Sequence, residues 1–280
     1  MLKVHEETTR KYSWYQTKNT FLHVTKIKSA QEFFAAEVYA RNKKLKIYLL
    51  GNGSNTFFQR RKISRFIVQN SLPQEYKYLG NDCFEVSSSM PMIKLLKILY
   101  SQERDGPYYL SSVPATIGGA VAMNAGTGRG KARYISEYLE SVEYAHQGKL
   151  HRIEPKNMKI SYRRTIFSEN YQYFITKAVF HFPHRKFDID PIKTRINWSR
   201  EFQDLGHPNC GSVFRVFHSS AIKILRCFWG KGKAYWSQKT MNWICNKSKN
   251  PKHLRRLLFV SKLVHVVLRK KCDFEIRLVD

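Results

Sequence analysis

The chain has 280 residues, and its 42% of hydrophobic residues with ordinary glycine and proline content excludes a fibrous or disordered protein. Its 49 Lys and Arg residues outweigh 21 Asp and Glu residues and give a net charge of +28. Such a charge attracts nucleotides, nucleotide-sugars, nucleic acid or an anionic membrane, and a solvated basic face without any partner explains it equally well. No uninterrupted apolar run approaches the roughly 20 residues that a membrane-spanning helix needs.

Nothing in the N-terminal residues or the cysteines indicates export or a metal. Residues 1–7 contain no apolar signal core. The cysteines are odd in number and form no Cys-x-x-Cys pair, so neither a disulfide framework nor a zinc site is indicated: Cys83, Cys210, Cys227, Cys245 and Cys272. We therefore expect a cytoplasmic protein without a bound metal.

Helices and strands are predicted throughout the first 183 residues. A capping box at Ser29–Glu32 predicts a helix to about Asn42, with Phe33, Phe34 and Val38 on or near its apolar face. Further along, the apolar patterns predict a second helix over Met92–Tyr100, strands at Ile47–Leu50, Phe66–Val68, Phe84–Ser87 and Tyr173–Phe182, and a hairpin over Leu139–Ile153.

The polar, charged segment Pro183–Pro191 is the best candidate for a domain boundary. Beyond it, Asn250 and Pro251 predict the start of a helix that Arg269–Lys271 would close. A strand over Phe274–Val279 would end the chain. We expect domains at 1–183 and 190–280.

Two small-residue segments indicate a large anionic ligand. Gly51–Asn55 follows an apolar strand, and Val113–Gly126 is too apolar for a linker and too rich in glycine for a core strand. Glycine lets a main chain approach a ligand closely, and free N–H groups form a concave site for phosphate. Because neither segment is a standard dinucleotide fingerprint or P-loop, each of them taken alone is more often a turn or bulge than a ligand site. Together they suggest the two ends of one dinucleotide-sized cofactor.

Three polar residues stand among apolar neighbours in the second half of the chain. Arg163, Ser212 and Glu275 each have an ordinary explanation, as a surface cation, a turn hydroxyl and the solvent side of a strand. Their spacing alone does not make them a site.

The order of motifs nevertheless resembles the UDP-N-acetylenolpyruvoylglucosamine reductase family. The matching pieces run from about residue 19 to 278 and are Asn19–Phe21, Leu50–Asn55, Pro114–Gly126, Leu139–Val142, Tyr162–Phe167, Gly211–Phe214, Ser237 with Asn242 and Asn246, and Glu275–Leu278. Any one of them is weak, but the ordered set is specific.

This resemblance implies an α+β fold, with a two-part FAD-binding domain of the vanillyl-alcohol-oxidase/PCMH type followed by a smaller C-terminal α+β substrate domain. FAD would lie noncovalently between the two halves of the first domain, with its pyrophosphate on backbone N–H groups. The cofactor-binding residues that it implies are Gly51, Asn52, Gly53, Ser54, Asn55, Pro114, Thr116, Gly118, Gly119, Asn124, Ala125 and Gly126.

The resemblance also implies the chemistry. Members of this family carry hydride from NADPH through flavin to an enolpyruvyl UDP-sugar in peptidoglycan synthesis. Arg163 and Glu275 match the residues that bind and stabilise the enolate-like intermediate, and Ser212 matches the serine that gives a proton to carbon. An arginine suits the first role because its planar fork meets a carboxylate in two hydrogen bonds.

Several positions depart from the family pattern. The family has a Gly-Gly-x-Ala strand that is absent here, since Phe21–Lys28 leads directly to the first predicted helix. Arg215–Phe217 occupies the place of the family's Lys-Asn-Pro. Trp236 occupies a position where the family usually has a glutamine, and Thr240 occupies one where it usually has a histidine. Only 48 residues separate Arg163 from Ser212, which favours the shorter branch of the family. The chain is therefore expected to be a divergent member.

Three readings stay open at this point. The leading one is an FAD- and NADPH-dependent reductase, expected as a monomer whose partners are NADPH and a UDP-sugar drawn in by the basic stretch Leu205–Cys272. The second is a flavoprotein oxidoreductase of the same fold with another nucleotide-sugar or enolpyruvyl substrate. The third is a non-catalytic basic binding protein. Nucleic acid is the less expected partner, because no helix-turn-helix, zinc finger or RNA-binding aromatic signature occurs.

Overall fold

The computed structural model describes residues 2–127 and 133–280. Its α-helices are α1 Ala30–Asn42, α2 Met92–Ser101, α3 Ile117–Ala122, α4 Ile166–Glu169, α5 Pro191–Phe202, α6 Ser219–Trp229 and α7 Pro251–Val267. Its strands are β1 His5–Thr9, β2 Asn19–Ile27, β3 Ile47–Leu50, β4 Thr56–Phe58, β5 Lys62–Asn70, β6 Tyr76–Gly80, β7 Cys83–Ser87, β8 Leu139–His146, β9 Lys149–Ile153, β10 Phe174–His181, β11 Phe214–Val216, β12 Ala234–Trp236, β13 Ile244–Asn246, β14 Asp273–Phe274 and β15 Arg277–Val279.

The contacts divide the chain into two compact units that are discontinuous in sequence. The first contains Met1–His5, His23–Asn52 and Arg65–Asn197, and the second contains Glu6–Leu22, Gly53–Ser64 and Trp198–Asp280. This division places two N-terminal segments with the C-terminal residues, whereas the sequence suggests continuous boundaries at 1–183 and 190–280. The functional assignment of those two ranges stays a prediction.

The first unit is built on a five-stranded antiparallel sheet of order β6-β7-β10-β8-β9. Central strand β10 pairs with β7 from Lys177 opposite Ser87 and with β8 around Ala178 opposite Val142. Buried apolar residues of α2 and α3 join the same core, including Leu96 and Ile117. In the same unit, β3 runs parallel to the Arg65–Asn70 part of β5, with Ile47 opposite Phe66 and Leu50 opposite Gln69. This arrangement ends β3 at Leu50, directly before the first small-residue segment.

The second unit has short paired strands and two longer helices. Strands β11 and β14, β12 and β13, and β4 and β15 form two-stranded pairs, the last of them parallel. Helices α6 and α7 bury apolar side chains in one core with Phe214, Trp236 and Ile276. This core supports the segments that carry Ser212 and Glu275.

The predicted helix starts are confirmed by their caps. The side chain of Ser29 accepts the N–H of Glu32 at 3.2 Å, and Glu32 in turn accepts the N–H of Lys28 at 2.7 Å. Asn250 accepts the N–H of Lys252 at 3.1 Å, so α7 begins as predicted. Short polar side chains at these positions satisfy N–H groups that the first helical turn leaves without partners.

Three local predictions were wrong. Phe274–Val279 is not one strand, because Phe274 pairs with Phe214 of β11 while Arg277–Val279 pairs with β4, and the chain changes partner at Glu275. Val38 is exposed instead of lying on the apolar face of α1. Helix α7 ends at Val267, so Arg269–Lys271 follow the helix and do not form its last turn.

Candidate active site

The two small-residue segments meet in the first unit. The Asn52 side-chain amide donates a 2.7 Å hydrogen bond to the carbonyl of Pro114. A Cβ on Gly51 would lie 2.8 Å from Oγ1 of Thr116, a distance that requires glycine there. The structure thus brings together the segments that the sequence analysis assigned to one ligand.

The loop Gly51–Asn55 offers several backbone donors. Among the described residues, none of its five N–H groups donates a hydrogen bond within the protein. Gly53 has a φ of +67°, and a Cβ there would overlap the carbonyl of Tyr12 at 2.3 Å. A turn with unused N–H groups is a chemical match for a phosphate.

Gly118 and Gly119 differ in what they contact. The Gly118 N–H donates to the carbonyl of Ser88 at 2.8 Å, and a Cβ on Gly118 would lie 2.9 Å from Cβ of Ser88. Gly119 is exposed, its N–H donates to Oγ1 of Thr116 at 3.3 Å, and a Cβ there would meet only that oxygen, also at 3.3 Å. Gly118 therefore serves close packing of the segment on Ser88, so any contact it makes with a cofactor uses its Cα and not its N–H. At Gly119, by contrast, one side of the segment is exposed to solvent.

The end of the glycine segment carries an unusual asparagine. Asn124 is buried, has a φ of +40° and donates to the carbonyl of Ser161 at 3.3 Å. Its side-chain Oδ1 is buried without a hydrogen-bond partner among the described residues. A buried acceptor of this kind is costly unless a ligand or water completes it. Ala125 follows it, and Gly126 is packed so closely on Arg133 that a Cβ would lie 2.2 Å from its carbonyl oxygen.

Arg163 is held next to this segment. Its guanidinium donates to the Gly126 carbonyl at 2.7 Å, and Oγ1 of Thr165 donates to the Ala122 carbonyl at 2.8 Å. The φ of Arg163 is +58°, a left-handed conformation that is uncommon in residues other than glycine, asparagine and aspartate. Such strain persists where the surroundings impose it, and it is typical of functional positions.

Tyr109 is a candidate site residue that the sequence did not indicate. Its hydroxyl is buried without a hydrogen-bond partner in the described chain, and the Arg133 guanidinium lies 5.2 Å from its ring centroid. Burial raises the pKa of Tyr109, while the nearby charges of Arg133 and Arg163 oppose that rise. The only sequence signal is its position four residues before Val113.

Ser212 and Glu275 are brought together in the second unit. The N–H of Glu275 donates to the carbonyl of Val213 at 2.8 Å, so the residue after Ser212 is bonded directly to Glu275. On the other side, the buried Asn242 side chain accepts from the N–H of Phe214 at 3.0 Å and donates to its carbonyl at 2.6 Å. Ser212 is therefore fixed between two segments distant in sequence.

Asn55 joins the first loop to the Glu275 segment. Its side-chain amide donates to the carbonyl of Glu275 at 3.0 Å, and its own carbonyl accepts the N–H of Arg277 at 2.8 Å. Both contacts lie within the second unit. Arg163 belongs to the first unit, together with Gly119 and Asn124.

The positions that depart from the family pattern have structural partners. Trp236 is fully buried, donates to Ser261 Oγ at 3.2 Å, and stacks on Phe214. Thr240 accepts the N–H of Asp204 at 2.7 Å. Arg215 forms an ion pair with Asp273. These three side chains stabilise the second unit around Ser212.

The described residues contain neither a metal-binding group nor a membrane-spanning helix. No three His, Cys, Asp or Glu side chains there are grouped to hold a metal ion. No helix in the described ranges is long and apolar enough to cross a bilayer.

Comparison with known proteins agrees with this geometry. Residues 21–154 match the family model for the FAD binding domain. The chain is 27% identical over 212 residues to the UDP-N-acetylenolpyruvoylglucosamine reductases of Staphylococcus aureus strains COL and Newman, covering 75% of this chain and 68% of each relative. The crystal structure of UDP-N-acetylenolpyruvylglucosamine reductase from Thermus caldophilus superposes with a TM-score of 0.80 at 21% identity, covering all of both chains. The predicted α+β fold class is confirmed, and in sequence and in fold the chain is similar to the UDP-N-acetylenolpyruvoylglucosamine reductases.

Proposed function

We propose that this protein is an FAD-dependent reductase that transfers hydride from NADPH, through the flavin, to the enolpyruvyl group of UDP-N-acetylglucosamine enolpyruvate. The product is UDP-N-acetylmuramate, a precursor of peptidoglycan. The observation that carries the proposal is the contact of Asn52 with Pro114, because it joins two glycine segments in a region that matches an FAD binding domain.

The residues present fit FAD. The unused N–H groups of Gly51–Asn55 and the open face at Gly119 suit a pyrophosphate, and the buried Oδ1 of Asn124 suits an N–H or O–H donor of a ligand. Pro114, Thr116, Ala125 and Gly126 hold these groups in place. Bound flavin supplies hydride transfer between NADPH and the substrate.

Arg163, Ser212 and Glu275 take three roles in this proposal. Arg163 binds the substrate carboxylate, where two parallel N–H donors neutralise the charge that develops there. Ser212 gives its hydroxyl proton to the substrate carbon. Glu275, as the protonated acid, donates a hydrogen bond to the same developing anion, and its backbone is fixed to Val213 beside Ser212.

We place the protein in the cytoplasm as a monomer, with NADPH and the UDP-sugar as its partners.

The test of function has two steps. Acid denaturation of the purified protein should release FAD, and anaerobic NADPH should reduce the bound flavin. Addition of UDP-N-acetylglucosamine enolpyruvate should then reoxidise it with formation of UDP-N-acetylmuramate. Reduction followed by no reoxidation would favour a flavoprotein acting on another substrate.

A further inference from the structure

The outer side of α7 exposes a continuous apolar surface. The inner side of this helix is buried through Leu254, Leu257, Leu258, Ser261 and His265. On the other side, Phe259 and Val267 are 69% and 71% exposed, and Leu263 and Val266 lie between them in the sequence, also exposed. Residues at i, i+4, i+7 and i+8 share one helix face, so these four side chains form a single apolar stripe about two turns long.

Cations lie at both ends of the apolar stripe. Lys252, Arg255 and Arg256 are exposed in the first two turns of α7, and Arg269–Lys271 are exposed just beyond it. From Leu205 to Cys272 the sequence has 15 Lys and Arg residues and no Asp or Glu. In the described ranges, no carboxylate pairs with any of these six cations.

The positive charge is strong enough to affect a neighbouring histidine. Burial lowers the pKa of His253, and the charges of Lys233, Lys252 and Arg256 lower it further. Among the residues that the structure describes, no acidic side chain opposes this lowering of the pKa. The first turns of α7 therefore hold several like charges close together without compensation.

Helix stability does not account for this pattern. The N-terminal end of a helix carries a partial positive charge, so a cation in the first turn, here Lys252, is unfavourable, and Arg255 and Arg256 gain nothing from the helix dipole. Exposed apolar side chains in a contiguous row are also uncommon on a solvated helix. Both features are explained if this side of α7 meets an apolar and anionic surface.

We infer that the outer side of α7 is a docking surface for an anionic lipid bilayer. The apolar stripe enters the boundary between headgroups and acyl chains, and the cations at its two ends contact lipid phosphates. A nucleic acid would use the cations but not Phe259, Leu263 and Val267. A second copy of this chain, with its own charge of +28, would bring unpaired cations against the same cations. The inference does not depend on the proposed enzymatic function.

Vesicle co-sedimentation with the full-length holoprotein tests this inference. Vesicles of phosphatidylcholine with 30% phosphatidylglycerol should bind the protein at least ten-fold more tightly than pure phosphatidylcholine vesicles, and rising salt should weaken the binding. The variant Phe259→Ser/Leu263→Ser/Val267→Ser should lose at least ten-fold in partitioning. A matched control, Val38→Ser/Leu79→Ser/Leu150→Ser, removes three exposed apolar side chains from the first unit and should bind as the native protein does.

Two triple variants show whether binding depends on where the cations lie or only on the net charge of the protein. Arg269→Gln/Lys270→Gln/Lys271→Gln should weaken binding to the anionic vesicles about ten-fold or more. Lys77→Gln/Lys97→Gln/Lys149→Gln carries the same net charge with exposed lysines elsewhere and should change binding less than three-fold. Unchanged thermal midpoints would show that all four variants are folded. Equal losses in the two charge variants, or no binding to anionic vesicles, would overturn the inference. So would a dimer that only the apolar variant abolishes, or tight binding to duplex DNA without vesicle binding.

Discussion

The side-chain amide of Asn55 donates a 3.0 Å hydrogen bond to the backbone carbonyl of Glu275, across 220 residues of sequence. Asn55 ends the loop that is proposed to hold phosphate, and Glu275 begins the segment that is proposed to stabilise the substrate anion. Because Glu275 is bonded in turn to Val213, one chain of contacts links Asn55 to the neighbour of Ser212. The position of Glu275 thus depends on the phosphate loop.

Asn55→Asp should impair the substrate half-reaction. A carboxylate would face the Glu275 carbonyl with no proton to donate, which should lower the free energy of unfolding by about 1 to 3 kcal/mol. Reoxidation of reduced flavin by substrate should slow, while reduction by NADPH changes little. Gln238→Ala removes an exposed amide-to-carbonyl bond in the same unit and serves as control. Equal reoxidation rates for the two variants would contradict the link.

Gly118→Ala and Gly119→Ala should have different effects. A methyl at Gly118 would lie 2.9 Å from Cβ of Ser88, so this variant should lose about 1 to 3 kcal/mol of stability. At Gly119 a Cβ would meet only Thr116 Oγ1, at 3.3 Å, and this tight contact offsets the preference of about 1 kcal/mol that a helix has for alanine over glycine. Gly119→Ala should therefore be as stable as the native protein but bind FAD more weakly. Urea unfolding and flavin titration measure the two effects, and unchanged FAD affinity in Gly119→Ala would show that this face does not meet the cofactor.

Ser212→Ala should slow one half-reaction only. Flavin reduction by NADPH needs no proton at the substrate carbon, whereas reoxidation does. Removing an essential proton donor should cost roughly 3 to 5 kcal/mol, or several powers of ten in rate, in that step. Stopped-flow absorbance of the flavin separates the two. Equal slowing of both steps, or of neither, would make Ser212 a structural turn residue.

Arg163→Lys should also slow reoxidation, because one ammonium group does not reproduce the two parallel hydrogen bonds of a guanidinium. The change should raise the KM for the substrate and lower kcat together. Arg164→Lys, at the neighbouring exposed position, is the matched control. A normal reoxidation rate in Arg163→Lys would remove Arg163 from the site.

Trp236→Gln restores the usual family residue, yet it should harm this protein. The indole is fully buried against Phe214 and bonded to Ser261, so a smaller polar side chain leaves a cavity. By analogy with other large-to-small core changes, the loss should be about 3 to 5 kcal/mol. Thermal unfolding measures it, and a stable variant with higher activity would contradict the structural role.

Alkaline pH should destabilise the second unit through two buried thiols. Burial raises the pKa of Cys210 and of Cys245 from 9.0 to about 12. The thiols of the unfolded chain lose their protons near pH 9, whereas the two buried thiols of the folded protein keep theirs. The stabilisation of the folded protein that results is fully present below pH 9 and is lost as the pH rises toward 12. Urea unfolding at pH 10.5 should show about 2 kcal/mol less stability for each thiol than at pH 8. Cys227→Ala, which removes an exposed thiol, should lose stability at high pH as the native protein does. A free energy of unfolding that does not change between pH 8 and pH 10.5 would contradict the prediction.

Local signals made much of the fold predictable. The caps at Ser29 and Asn250 and the turn of the hairpin over Leu139–Ile153 depend on neighbouring residues alone, and the structure confirms them. The break at Glu275 was not predictable, because it arises from pairing with β4 and β11, which lie far away in sequence.

The candidate site shows the same contrast. Glycine content indicated both phosphate segments, but it did not show that Gly118 packs on Ser88 while Gly119 lies open. The support that Asn242 gives to Phe214 comes from a buried polar side chain that composition does not distinguish from an exposed one. Arg163 was indicated by resemblance, whereas its left-handed backbone is visible only in the structure.

The most direct test of the central claim is an anaerobic two-step flavin experiment on the purified protein. Bound FAD should bleach on addition of NADPH and recover on addition of UDP-N-acetylglucosamine enolpyruvate, with one UDP-N-acetylmuramate formed per flavin reoxidised. A colourless protein that binds no FAD on titration, or a reduced flavin that this substrate leaves unchanged, would contradict the account.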